Sequence, residues 1–347
     1  MSMSKPATKA DRAIELSVRR ATPADYPAIA RLHNATYGIG WPMTERALLT
    51  LDRGAHILGY EATPPRLAQR WVVYAAGELA AMALVRWSQL PTPHRYEINF
   101  ILAPDWADSP DGDRLRDQLY DKMTAWIALR PHRQRAHELR SHTRADFSAD
   151  LDFWQAQGFD EFLREQDALL TIADFDPTPH AQRLERLAAQ GIRIVPFNSL
   201  PPGTATEQAL FELEQALRRD VPGWAGEDFY SFAEWRTARV EAAEFLPAAC
   251  FIALQGDAWI GMSFLTRQPD ADFLAQRLTG VRRPLRRRGI AAALKLCGID
   301  YARTQGYRAV RTSSAVDNGA MQHLNAQFGF LPDSTWVHFK KSLEKEA

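Results

Sequence analysis

Between Thr279 and Ala291 the sequence reads Thr-Gly-Val-Arg-Arg-Pro-Leu-Arg-Arg-Arg-Gly-Ile-Ala, an apolar strand end that runs through an arginine-rich turn into a helix pattern. Such a turn is suited to hold an anion. Successive turn amides and the N-terminal end of a helix together supply partial positive charge, and small residues at Gly289 and Ala291 allow a ligand close to the backbone. The five arginines at 282, 283, 286, 287 and 288 favour a ligand with several negative charges, such as a polyphosphate. A run of arginines also suits a nucleic-acid surface, but no aromatic stacking platform alternates with this one, and a capped amphipathic helix follows it. No nucleic-acid partner is expected.

The elements around this turn follow from periodicity. A strand over 17–20 is followed by Thr22-Pro23, a helix start with Thr22 as N-cap, and the helix runs to about Asn34. Strand patterns over 70–76, 78–88 and 96–102 precede a helix over 114–129. After the proline-containing stretch from Phe175 to His180 the same order returns. It comprises a strand over 192–197, a helix over 206–218, a hairpin turning at Gln255-Gly-Asp, a strand ending near Val281 and a helix over 289–304 with Gly306 as its left-handed cap.

An internal repeat accounts for the recurrence. Residues 139–159 align without gaps on 310–330 at a constant offset of 171, pairing Arg140 with Arg311, Asp146 with Asp317 and Gly158-Phe159 with Gly329-Phe330. The predicted architecture is α/β (α+β), two tandem copies of one fold with a mixed, mostly antiparallel sheet flanked by helices, spanning 17–177 and 190–347. A chain of 347 residues suits two cores.

With Arg286-x-x-Gly289-x-Ala291 after a strand, Asn318 opening a late helix and Asn325 followed by Gly329-Phe330, the chain resembles the GCN5-related N-acetyltransferase (GNAT) superfamily. The two-domain plan is similar to that of mycothiol synthase. The resemblance implies acetyl-coenzyme A as cosubstrate, bound by Thr279, Gly280, Val281, Arg282, Arg283, Arg286, Arg287, Arg288, Gly289, Ile290 and Ala291, with Asn318 and Asn325 nearby. It also implies direct attack of a neutral amine on the thioester, with the Val281 N–H as oxyanion donor. Many relatives place an acidic Tyr where this chain has Asn325, and an amide cannot supply a proton. For the base, the resemblance points to the loop from Asp220 to Tyr230, with Asp220, Glu227 and Asp228 as candidates. A small-molecule amine acceptor is expected, the alternative being a non-catalytic acetyl-coenzyme A-binding protein.

The N-terminal copy lacks the anion-site features. Aligned at the strand end, Ala107 stands in place of Arg286 and Pro110 in place of Gly289, among Asp105, Asp108, Asp111 and Asp113. Phe147 and Trp154 replace Asn318 and Asn325. One cofactor per chain is the expectation.

Composition narrows the remaining classes. The 42 basic and 42 acidic residues balance, so no global charge steers partners. The two cysteines, Cys250 and Cys297, give no disulfide framework and suit a cytoplasmic location. No signal-peptide or membrane-spanning pattern is expected. His132, His137 and His142 lack the spacing of a metal site.

Overall fold

The computed structural model describes residues 17–38, 42–52, 68–87, 94–130, 136–222, 231–268 and 270–343. The first half contains β1 (Ser17–Arg20), α1 (Tyr26–Tyr37), α2 (Glu45–Asp52), β2 (Ala68–Ala75), β3 (Glu78–Trp87), β4 (Arg95–Leu102), α3 (Pro104–Ala107), α4 (Pro110–Ala128), β5 (Glu138–Arg144), α5 (Ser148–Ala156) and β6 (Asp160–Thr171). The second contains α6 (Arg183–Ala188), β7 (Ile192–Pro196), α7 (Thr204–Arg218), α8 (Phe232–Arg239), β8 (Phe245–Gln255), β9 (Ala258–Arg267), β10 (Phe273–Val281), α9 (Ile290–Thr304), β11 (Ala309–Ala315), α10 (Gly319–Gln327) and β12 (Leu331–Ser342).

Helix α4 starts at Pro110, four residues before its predicted start. Ser109 caps it, accepting the Gly112 N–H at 3.0 Å, and Pro110 takes the first helical position. Asp111 and Asp113 sit in the first turn, where the helix dipole favours them. At the β2–β3 turn, Ala76 (φ 50°) and Gly77 (φ 88°) both lie in the left-handed region, as a two-residue hairpin with native twist requires.

The twelve strands among the described residues form one sheet in the order β1-β2-β3-β4-β5-β12-β6-β11-β10-β9-β8-β7. Of their pairings, β4–β5 and β10–β11 are parallel and the others antiparallel. The two halves exchange their final strands: β12 pairs with β5 of the first half, and β6 pairs with β11 of the second. The register reproduces the repeat, since Trp336 opposite Arg144 has its counterpart in Ala315 opposite Glu165, each shifted by 171 residues.

Apolar side chains on both sheet faces explain why each half is packed on both sides of the sheet. In the first, α1 and α2 cover Val72, Met82 and Ile101, while α4 and α5 cover Val73, Ala83 and Phe100 on the other face. In the second, α7 and α8 bury Ile252, Met262 and Phe264, and α9 with the end of α10 buries Leu265, Leu274 and Val310. Fully burying each such aliphatic chain contributes roughly 1.5–3 kcal/mol. The rigid layers hold β10, α9, β11 and α10 around the predicted turn.

Candidate functional site

Strands β10 and β11 pair only from Phe273 opposite Ala309 to Gln276 opposite Thr312. Beyond Gln276 a β-bulge in the β10–β9 ladder inserts one extra residue between Gln276 and Thr279, bending β10. The two strands then separate. Arg282 donates its N–H to Ile260 on the β9 side at 2.9 Å. Peptide groups alternate along a strand, so the N–H groups of Thr279 and Val281 face the other way, into the gap left by β11. This gap is the slot in which an extended ligand can replace a missing strand.

At the end of the slot Arg287 (φ 63°) and Gly289 (φ 79°) turn the chain into α9. The first helical bond runs from Ala293 N–H to Gly289 C=O at 3.0 Å, leaving the N–H groups of Ile290, Ala291 and Ala292 without a helical acceptor. A Cβ placed on Gly289 meets nothing within 4 Å. Open space beside free amides at a helix N-terminus fits a pyrophosphate. Gly280 has a different role, because a Cβ there would lie 3.1 Å from Leu217 of α7. It lets the helix pack on the strand.

The arginines divide their tasks. Arg282 Nε donates to the Trp259 carbonyl at 2.8 Å, Arg286 Nε to the Val281 carbonyl at 2.9 Å, and Arg288 to Gln190 Oε1 at 2.9 Å. Arg283 and Arg286 both form ion pairs with Asp220, Arg283 Nε donating at 2.8 Å. These hydrogen bonds, that from Arg283 first, hold the Asp220 carboxyl below the usual carboxylate range. A carboxylate so held is a poor proton acceptor. Asp220 thus joins the end of α7 to the arginine turn. Glu227 and Asp228 lie outside the described residues, as does His132.

Asn318 is the N-cap of α10, accepting the Met321 N–H at 3.2 Å. Asn325 is buried beside the slot; its Nδ2 lies 3.4 Å from Ser314 Oγ of β11, and its Oδ1 has no partner among the described residues. Lys295 on α9 was not singled out by periodicity, because its place in Ala-Leu-Lys-Leu reads as an ordinary helix lysine. Its side chain is fully buried, and burial lowers its pKa to about 7.

On the opposite sheet face, side-chain alternation sets Ala315, Glu165, Trp336 and Arg144 in one row across β11, β6, β12 and β5. His338 Nε2 lies 3.1 Å from Glu165 Oε2, and both side chains remain partly exposed. Periodicity could not find this pair, because the two residues meet only through the strand exchange.

Among the described residues the first half shows no equivalent slot. Its β3–β4 ladder runs without a bulge, and Asn99 of β4 bridges the divergence from β5, its Oδ1 accepting Ser141 Oγ–H at 2.9 Å and the His142 N–H at 3.0 Å. Trp154, at the repeat position of Asn325, is buried and stacks on Phe100 with centroids 4.9 Å apart.

Comparisons with known proteins find the same duplicated fold elsewhere. Residues 208–330 match the profile of the Acetyltransferase (GNAT) family. Among solved structures, a GCN5-related N-acetyltransferase from Sphaerobacter thermophilus is 22% identical over 94% of this chain and 95% of that one, with a TM-score of 0.68. A tandem GNAT protein from the clavulanic acid biosynthesis pathway is 18% identical over 94% and 98%, with a TM-score of 0.60. The glucosamine N-acetyltransferase region of a fungal multi-domain β-N-acetylglucosaminidase is 12% identical, with a TM-score of 0.68, over 97% of this chain and 39% of that one. Comparison with curated protein sequences found no match. Residues 208–330 thus match the GNAT family, and the fold of the chain is similar to that of tandem GNAT proteins.

Proposed function

We propose that the chain is an acetyl-coenzyme A-dependent N-acetyltransferase acting on a primary amine of a small molecule. The observation that carries this is the slot between β10 and β11, ending at the free amides of Ile290, Ala291 and Ala292. Thr279, Gly280 and Val281 line the pantetheine arm, and Arg282, Arg283, Arg286, Arg287 and Arg288 surround the phosphates. The Val281 N–H faces the thioester oxygen as oxyanion donor. The sequence repeats 17–177 and 190–347 divide the work, the first serving as scaffold and the second as cofactor site, with β6 and β12 tying them together.

Glu165 is the base in this proposal. It lies one strand from β11, on the sheet face opposite α9, with His338 Nε2 3.1 Å from its carboxylate. It takes a proton from the acceptor ammonium, leaving the nitrogen lone pair free to attack the thioester carbon. Glu227 remains a second proposed base. Cytoplasmic residence belongs to the same proposal, supported by the free thiols of Cys250 and Cys297.

Free-thiol release from acetyl-coenzyme A, measured across a panel of primary amines, tests the function. Amine-dependent release supports the enzyme, whereas tight acetyl-coenzyme A binding without release to any amine supports the binding-protein alternative. Glu165→Gln and Glu227→Gln, each assayed with the active amine, then identify the base.

A further inference from the structure

Lys295 has a counterpart in the first half. Aligning the helices after the two strand ends, with Pro110 on Gly289, sets Arg116 of α4 on Lys295 of α9, and both cations are fully buried. Their surroundings differ. Arg116 is satisfied: its Nε donates to Asp150 Oδ1 at 2.8 Å and its Nη2 to the Ala107 carbonyl at 2.7 Å. At the repeat position of Asp150 the second half has Met321, and Lys295 Nζ has no hydrogen-bond partner among the described residues. An unpaired buried ammonium is costly, so the half that binds no cofactor keeps the counter-ion and the half with the slot has lost it.

The surroundings of Lys295 point to the slot. Lys295 and Gly298 share one face of α9, and Gln276 Oε1 lies 3.6 Å from the position of a Gly298 Cβ. Gln276 is the last residue at which β10 and β11 pair. Lys295 Nζ lies 4.5 Å from the centroid of the Phe330 ring, and the Phe330 N–H donates to the Asn325 carbonyl at 3.1 Å. Gln276 Oε1 and Asn325 Oδ1 are themselves buried acceptors without partners. One donor and two acceptors thus lie unsatisfied around the fork where the strands part.

We propose that Lys295 is the acid of the second half, delivering its proton to the sulfur of coenzyme A as the thioester breaks. This rests on the acetyltransferase function proposed above. The acceptor nitrogen forms the C–N bond, the C–S bond breaks with its electron pair going to sulfur, and the Lys295 ammonium protonates that thiolate. The resulting neutral Lys295 recovers a proton from solvent, which has received one from the acceptor nitrogen by way of Glu165. Burial, with no charged neighbour contributing to the shift among the described residues, brings Lys295 to about 7, where it gives up its proton readily at neutral pH. The proposal fills the task that the Asn325 amide cannot perform.

The test needs no acceptor. Free coenzyme A is bound to the intact wild-type chain, and its thiol is titrated by far-ultraviolet thiolate absorbance, alongside Lys295→Met and Met321→Asp. In the wild type the ammonium lowers the bound thiol pKa by about one unit or more from the ordinary thiol value near 8.5. Lys295→Met returns it to that value without changing affinity for desulfo-coenzyme A, and Met321→Asp, by restoring the lost counter-ion, weakens the shift. Coenzyme A that binds all three chains with the same thiol titration would overturn the acid assignment alone. A wild type that binds no coenzyme A would overturn the cofactor site and the acid together.

Discussion

Glu165 and Trp336 lie opposite each other across β6 and β12, and they are also each other's counterparts in the repeat, 171 residues apart. A local two-fold axis therefore passes through this pair. The register confirms it: Leu331 opposite Leu169 has its image in Lys340 opposite Asp160. The proposed base thus sits where the two halves meet, one strand from β11 and the slot of the second half.

Gly289→Glu should abolish acetyl-coenzyme A binding while the chain stays folded. The new carboxylate enters the open space beside the free amides, and a left-handed non-glycine residue costs only about 1–2 kcal/mol locally. Calorimetric titration paired with circular dichroism measures both effects; undiminished affinity in a folded variant contradicts the phosphate site.

Asp220→Asn distinguishes latch from base. Its carboxylate competes with phosphates for Arg283 and Arg286, so neutralising it should tighten acetyl-coenzyme A binding at low salt by up to about fivefold, the scale of a solvent-accessible ion pair. Turnover at saturation should hold within a few-fold. A fall of several orders of magnitude in kcat would restore Asp220 as the base.

Asn325→Ala should reduce kcat only modestly, by about fivefold, the value of one net hydrogen bond near 1 kcal/mol. A loss of orders of magnitude at unchanged cofactor affinity would place Asn325 in the chemistry itself.

Lys295 makes stability depend on alkaline pH. Its folded pKa of about 7 lies below the unfolded value near 10.4, so within that window the unfolded chain holds a proton that the native chain has released. Stability should rise with pH from about 7 to about 10, with the full burial cost present below that window. Denaturant titrations at several pH values should show a slope approaching about 1.4 kcal/mol per pH unit from this group. Lys295→Met should remove this contribution.

One acetyl-coenzyme A should bind per intact chain, because Pro110 offers no amide where Gly289 does, and Asn99 bridges β4 to β5 where β10 and β11 stand apart. A calorimetric stoichiometry of two would refute the division.

The element order, the repeat and the glycine turn that leads into α9 were legible in the sequence because each depends on local signals: periodicity, capping residues and the Arg286-x-x-Gly289-x-Ala291 spacing. The bulge after Gln276 was not, since it alters a ladder with β9 without changing any residue type. The Asp220 latch joins residues more than sixty positions apart, and the Glu165–His338 pair depends on which strand β12 chooses. Lys295 left one trace, a cation at an otherwise apolar helix position matched by Arg116. That trace acquires meaning only once Asp150 and Met321 are seen to differ.

The placement of β12 also matters during synthesis. When β5 leaves the ribosome, the strand that will cover its edge has not yet been made, and β6 has no β11 to join. The first half must wait with an open sheet edge, an exposure that favours pairing with other chains. Completion of both halves is delayed until β12 emerges, so nascent chains should lean on chaperones in a way that two sequentially folding domains would not.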